Sequence, residues 1–193
     1  MTNSLSTASF ITIALWCVLV IYVLRGAKTA SAEIEHPPAA PLASRIMKIL
    51  GMLYLFALIY FPHWVGIHSH PMATWPGLDW LGVAICAAGV ALVIASRRNL
   101  GRNWSDLVVL KRNHELIQSG PYRWVRHPLY SGMLLAILGS AMTVHSLLAY
   151  IAVPIVWLGF WLKARREEAL LEQQFPEYRH YRQRVKAFIP SVL

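Results

Sequence analysis

The sequence predicts an all-α integral membrane protein with five transmembrane helices, and three observations predict it. Hydrophobic residues fill 56% of the 193 positions and charged residues only 14%, too few to coat a soluble globule of this length. The apolar residues gather into five runs, 10–24, 46–65, 78–95, 129–144 and 147–162, each near the roughly 20 residues that span a hydrocarbon core or at its lower limit. Lys and Arg then fall in three groups, around 25–48, 97–126 and 163–186, and are missing from the tail before Phe10, from residues 66–77 and from the turn at His145. With five spans all 18 basic residues share one face, which the positive-inside rule makes cytoplasmic, whereas four spans would scatter them. The N-terminus is then outside and the C-terminus inside. This topology accounts for the net charge of +9 without a nucleic-acid partner.

Taken in order, the first run has no basic residue ahead of it. Arg25 and Lys28 stand between it and the small-residue site Ala30-Ser31-Ala32, so it reads as a retained helix and not as a signal peptide. Residues 30–44, with Pro37, Pro38 and Pro41, read as a non-helical cytoplasmic linker. Trp64, Trp75 and Trp80 cluster at the expected outer interface, where amphipathic rings settle. His63, His68 and His70 share that side, with no Cys or carboxylate nearby to complete a metal site. Cys17 and Cys86 both lie in apolar runs and read as small core residues, with no disulfide or metal implied. The last two runs form a helical hairpin broken at His145-Ser146, since one helix through both would overshoot a bilayer by about 20 Å. In the charged tail, Ala169, Leu170, Phe175, Tyr178 and Tyr181 recur every three to four residues. They predict a helix broken near Pro176 and packed back on the domain or the lipid surface. Residues 1–96 are thus a three-helix scaffold, and 97–193 hold the chemistry, within one structural domain.

Two polar clusters at helix mouths concentrate that chemistry, and ionisable groups there are costly enough to point to function. In Arg126-His127-Pro128, Pro128 suits a helix start, which leaves Arg126 and His127 among free backbone donors, ready for an anionic group or serving as a basic interfacial anchor. Gly120-Pro121-Tyr122 marks a turn, and Gly132 lets backbone or ligand approach the first turn of the helix. Tyr122, Trp124 and Tyr130 fit an interfacial belt taken singly. Interleaved with His and Gly they fit a flat, π-bearing ligand such as adenine. Glu167 and Glu168 close the last run against the local basic trend; they either pair with Arg165 and Arg166 or hold the hydroxyl, ammonium or sulfonium groups of a charged cofactor.

In chain order, His114-Glu115-Leu116-Ile117, Gly120-Pro121-Tyr122, Arg126-His127-Pro128-Leu129-Tyr130, Glu167-Glu168 and Phe175-Pro176-Glu177-Tyr178 resemble the isoprenylcysteine carboxyl methyltransferase family. The resemblance covers residues 97–190, including Leu100-Gly101-Arg102-Asn103-Trp104, and the five-span plan resembles its small prokaryotic members. It implies S-adenosyl-L-methionine as methyl donor and S-adenosyl-L-homocysteine as product, bound on the cytoplasmic side by loop, hairpin and tail. The cofactor residues it implies are His114, Glu115, Leu116, Ile117, Tyr122, His127, Pro128, Leu129, Tyr130, Glu167 and Glu168. Lys163 and Arg166 are implied at the acceptor. The acceptor would be a lipophilic or lipidated molecule, the carboxylate of an isoprenylcysteine-like compound or another lipid-like group.

One departure stands out. The eukaryotic carboxyl methyltransferases place an arginine four residues before the matching Glu. Here that position is Lys163, a point charge without the planar fork that grips a carboxylate, and Arg165 and Arg166 lie elsewhere on the helix. Two other readings compete. An NADPH-dependent reductase of the sterol-reductase type shares a similar C-terminal motif region but is usually much longer, and this chain has no G-x-G-x-x-G. A non-enzymatic scaffold or transporter would carry polar breaks near the midplane, while here they lie at one interface. The plain expectation is a multi-pass protein of a prokaryotic plasma membrane with its site facing the cytoplasm.

Overall fold

In the computed structural model the described residues are 6–30, 56, 60, 77–101 and 116–191. They form helix α1 (Thr7–Ala30), α2 (Leu78–Leu100), a short 3-10 turn η1 (Gly120–Arg123), α3 (Pro128–Val144), α4 (Leu147–Gln174) and α5 (Tyr178–Arg184). No strand occurs among the described residues; Val125 and Lys186 form an isolated parallel bridge. The expected second span, 46–65, lies outside the described residues except for Phe56 and Tyr60, both helical. The proline-rich linker after Ala30 also lies outside them.

The helices outrun their apolar segments. α1 continues past Leu24 to Ala30, so residue 30, expected in the non-helical linker, is helical, and α2 continues past Ala95 to Leu100. Charge ends the apolar run without ending the helix. Arg97 stays buried by lying over the Tyr22 ring, 5.3 Å from its centroid, and donating to the Tyr22 carbonyl at 3.4 Å. α2 and α4 are long and apolar enough to cross a membrane, while Thr7–Val23 and α3 are shorter apolar helices. At about 1.5 Å per residue the 28 residues of α4 exceed a hydrocarbon core of roughly 30 Å, so its charged turns after Leu162 extend beyond the span.

The expected break between the last two runs is present. His145 adopts a left-handed conformation (φ 49°, ψ 36°), which terminates α3, and α4 restarts after an extended Ser146. The His145 ring is hydrogen-bonded to Asp79 in the first turn of α2, tying the turn to a neighbouring helix. At the far end, Phe175 precedes Pro176 and is extended (φ −119°), as the proline demands, and α5 follows. Tyr178 and Tyr181 are buried as the periodicity requires, but Ala169 is exposed. The inward stripe of α4 there runs instead through Ala164 and Glu168, one turn apart, because the helix presents its carboxylate to the protein.

The tightest packing joins α2 to α3, which run antiparallel. Gly82 faces Gly139 and Gly89 faces Gly132, and seven residues separate the glycines on each helix. A Cβ at Gly89 would fall 2.5 Å from the Ala136 nitrogen and 2.5 Å from the Gly132 carbonyl oxygen, so the backbones approach only because the side chains are absent. Gly132 therefore serves helix packing, the backbone half of its expected role. Hydroxyls stitch α1 onto the same pair: Ser9 donates to the Thr143 carbonyl at 2.9 Å, and the Trp16 indole to Ser140 at 2.9 Å. Gly89→Ala is expected to lower stability by about 1–3 kcal/mol through overpacking. Gly159→Ala on α4, where nothing lies within 4 Å of the added carbon, is expected to leave stability unchanged or raise it by up to about 1 kcal/mol. Thermal unfolding of both variants in detergent checks the contrast.

Candidate active site

Where α3 begins and α4 leaves its apolar span, the two polar clusters of the sequence meet. Two backbone devices bring them there. Gly120 takes a positive φ of 56°, turning the chain into η1, and Asn99 at the end of α2 donates to the Ser119 carbonyl at 2.8 Å. Pro128 then opens α3, whose first turn presents His127, Tyr130 and Ser131. On the opposite side α4 presents Lys163, Glu167 and Glu168.

Glu168 is the hub. It is 4% exposed. Its Oε1 accepts from Arg126 Nε at 2.9 Å, lies 2.8 Å from the second arm of that guanidinium, and is 2.9 Å from His127 Nε2. Its other oxygen is 3.6 Å from Arg182 Nε. Arg126 uses its remaining arm on the backbone, donating to the carbonyls of Arg182, at 3.1 Å, and Val185. Burial works to raise the Glu168 carboxyl pKa, but the His127 hydrogen bond and the Arg126 charge outweigh it and hold the group down at about 2. The anionic group expected at Arg126 and His127 is thus supplied by the protein itself. Both side chains are buried, so neither is a surface anchor.

Glu167 is placed differently. It accepts from the Tyr130 hydroxyl at 2.5 Å, stands 3.8 Å from Lys163 Nζ and 3.8 Å from His127 Nδ1, and keeps 25% of its side chain exposed. The Lys163 ammonium also sits over the Tyr130 ring, 5.4 Å from its centroid. Four rings cluster at this point. Phe160 lies 4.8 Å from Tyr130, Tyr130 5.5 Å from His127, and His127 5.7 Å from Phe188. Tyr130 thus packs against three protein rings, Phe188 among them at 6.5 Å, and these aromatic contacts are internal to the protein. Tyr122 is buried beneath; burial first, then the charges of Tyr181 and Glu167, push its phenol above the ordinary range. Trp124, by contrast, is 61% exposed, as an interfacial residue would be.

Of the residues expected at a cofactor, Tyr122, His127, Tyr130, Glu167 and Glu168 come together, with Pro128 buried and Leu129 half-buried against the helical core. Leu116 and Ile117 are half-buried ahead of η1, and His114 and Glu115 lie outside the described residues. Lys163 joins the cluster. Arg166 is exposed and forms no ion pair among the described residues. Sequence reasoning missed Phe160, Arg182 and Phe188, and gave Arg126 no partner. Phe188 is an aromatic in a basic tail, but no periodicity marks it out. Among the described residues no group of His, Cys, Asp and Glu is arranged to hold a metal ion.

This defines a helical protein with membrane-length apolar helices and a charged, aromatic site at one mouth of a helical hairpin. A family model described as "Phospholipid methyltransferase" matches residues 78–178, just over half of the sequence, and the chain belongs to that family. The resemblance drawn from residues 97–190 is borne out among its relatives. Protein-S-isoprenylcysteine O-methyltransferase B of Arabidopsis thaliana is 29% identical over 76% of this chain and 72% of its own length. The nickel-cobalt-cadmium resistance protein NccN of Alcaligenes xylosoxydans xylosoxydans is 34% identical over 58% of this chain and 53% of its own. This chain thus spans about half the length of the metal-resistance relatives it matches. The fold is similar to that of the eukaryotic intramembrane Ras methyltransferase (isoprenylcysteine carboxyl methyltransferase), with a TM-score of 0.57 at 23% identity, covering 85% of this chain and 56% of that one.

Removing the Glu168 carboxylate leaves Arg126 buried without its counter-ion, so Glu168→Ala is expected to cost about 3 kcal/mol or more. Glu172→Ala, which loses only the pairing with the exposed Arg182 at 2.5 Å, is expected to cost less than about 1 kcal/mol. Chemical unfolding of the two variants in detergent compares them directly.

Proposed function

We propose that this protein is an S-adenosylmethionine-dependent membrane methyltransferase acting on a lipophilic acceptor. The observation that carries this reading is the meeting of Arg126-His127-Pro128-Leu129-Tyr130 with Glu167-Glu168, some 40 residues apart in sequence, in one cluster at a helix mouth. A cluster of this composition suits the cofactor. Glu167, partly exposed, offers a carboxylate to hydroxyl or ammonium groups, and the half-buried Leu116 and Ile117 offer apolar surface; the resemblance assigns Tyr122, His114 and Glu115 to the cofactor as well. The bound cofactor supplies a methyl group activated on a sulfonium centre. The chain's own part is to hold and orient. Glu168, engaged by Arg126 and His127, fixes the His127 ring, while Tyr130 and Lys163 fix Glu167. Positioning of this kind can supply much of the rate of a displacement that needs little acid–base help when the acceptor is a carboxylate. Lys163 and Arg166 are the basic groups assigned to the acceptor side, and the apolar flank of α4, with Ile155, Leu158 and Leu162 exposed, would face its lipid-like portion.

The proposal includes the five-span topology, with residues 1–96 as scaffold, 97–193 as catalytic region, and the site on the cytoplasmic side of a prokaryotic plasma membrane. All 18 basic residues on one face support it.

Calorimetric titration of the detergent-purified protein should give micromolar binding of S-adenosylhomocysteine and none of NADPH. Binding of NADPH alone would instead support the reductase. Glu167→Gln should weaken the homocysteine ligand by at least about tenfold, the loss of a charge-assisted hydrogen bond, with the melting temperature unchanged. For topology, Cys17→Ala and Cys86→Ala provide a background for Ser69→Cys and Gln173→Cys. An impermeant maleimide applied to intact cells should label the first at once and the second only after permeabilisation. The reverse pattern would invert the topology.

A further inference from the structure

The chain that leaves α5 lies across the start of α3. The Arg126 amide donates to the Lys186 carbonyl at 2.8 Å, and the His127 amide to the Ala187 carbonyl at 2.9 Å. Ser131 Oγ donates to the Phe188 carbonyl at 2.7 Å. Arg126 also reaches the Val185 carbonyl with its guanidinium. These bonds do local work. A helix start has amides without intrahelical partners, and α3 has no side-chain cap at His127, so carbonyls of residues 186 and 187 take over the two amides just ahead of it. The segment ends on Phe188, which is 4% exposed although Ile189, next in sequence, is 52% exposed. The Phe188 ring packs against His127 at 5.7 Å, 29° between planes, and against Tyr130 at 6.5 Å.

We propose that residues 185–188 are a positioning strap and that Phe188 is its lock. His127, Tyr130 and Phe188 pack as a triangle of rings, with His127 Nε2 on Glu168 and Nδ1 toward Glu167. Phe188 packs against the imidazole and against Tyr130 together, and so restrains the imidazole from rotating away from the two carboxylates. Without the Phe188 ring that flank of His127 opens to water and to rotation, and Glu167 loses the imidazole held 3.8 Å from its second oxygen. Phe188 thus acts through His127 on the acid assigned to the cofactor. It is a positioning residue, and this part of the inference rests on the function proposed above. The strap itself does not.

Two measurements on the full-length protein in detergent separate these parts. Variants are Phe188→Leu, which keeps apolar bulk and loses the ring, Phe188→Tyr, which keeps the ring, and Ser131→Ala, which cuts one anchor without touching the rings. Hydrogen exchange without ligand reads the strap: Phe188→Leu and Ser131→Ala should raise exchange at Arg126 and His127 by about tenfold or more, an opening made easier by at least about 1.4 kcal/mol. Exchange within α2 should not change, and Phe188→Tyr should restore the wild-type pattern. Unchanged exchange at Arg126 and His127 in Phe188→Leu overturns the strap, whatever binds. S-adenosylhomocysteine titration reads the positioning: Phe188→Leu should lose about tenfold in affinity, about 1.4 kcal/mol. Combined with Glu167→Gln, the two losses should be less than additive. Additive losses would make Phe188 a structural residue only. A wild-type protein that binds no S-adenosylhomocysteine overturns the positioning role along with the proposed function, while the exchange result still decides the strap.

Discussion

The arrangement depends on one constraint: a carboxylate buried at the end of a membrane-length helix must be matched by charge and hydrogen bonds. Glu168 meets it with Arg126 and His127, and Arg126 in turn holds backbone carbonyls beyond α4. An isolated buried carboxylate would cost several kcal/mol, or would take up a proton. Its depressed pKa shows that the partners exceed the cost of burial. The same contacts tie the start of α3 to the charged turns of α4 and to the tail that follows α5.

That cluster needs a rigid floor, and the glycine packing of α2 against α3 provides one. In lipid there is no hydrophobic gain from bringing two apolar helices together, so close backbone approach and hydroxyl hydrogen bonds must supply the specificity. Gly82, Gly89, Gly132 and Gly139 permit the approach, and Ser9, Trp16, Ser140 and Thr143 supply the hydrogen bonds. Because Gly132 lies one turn after His127, the packing that fixes α3 also fixes the start of the site. α4 is held less closely. Its outward face carries Ile151, Ile155, Leu158 and Leu162, exposed as a lipid-facing surface would be.

Much of this was legible in the chain. The helical class, the break at His145-Ser146, the turn at Gly120-Pro121 and the interruption at Pro176 all follow from apolar runs and local backbone chemistry, and all are present. The apolar runs alone do not give the helix ends, because the end of an apolar run marks the membrane boundary and not the end of the helix; α1, α2 and α4 continue into charged sequence. Within the site, the participants were readable but not their partners. Arg126 and His127 announced an anion site, yet nothing local says that the anion is Glu168, because the pairing is tertiary. Phe188 was invisible for the same reason: a single aromatic beyond the last short helix has no period to reveal it.

The adjacent acids show why a motif and a mechanism differ. Neighbouring residues on an α-helix point about 100° apart, so two consecutive carboxylates cannot both face the protein interior. One must turn inward, and here Glu168 lies on the buried stripe with Ala164, where Arg126 and His127 reach it. The other then points along the helix side, where Glu167 finds Lys163 one turn earlier and the Tyr130 hydroxyl opposite, with part of its side chain still open to solvent. Burial makes the first acid a structural anchor, and exposure leaves the second free to accept a ligand. Exchanging the pair for a single Glu would force one carboxylate to serve both demands, which differ in solvation. Two acids in sequence allow the fold and the proposed chemistry to be satisfied separately on a single turn of helix.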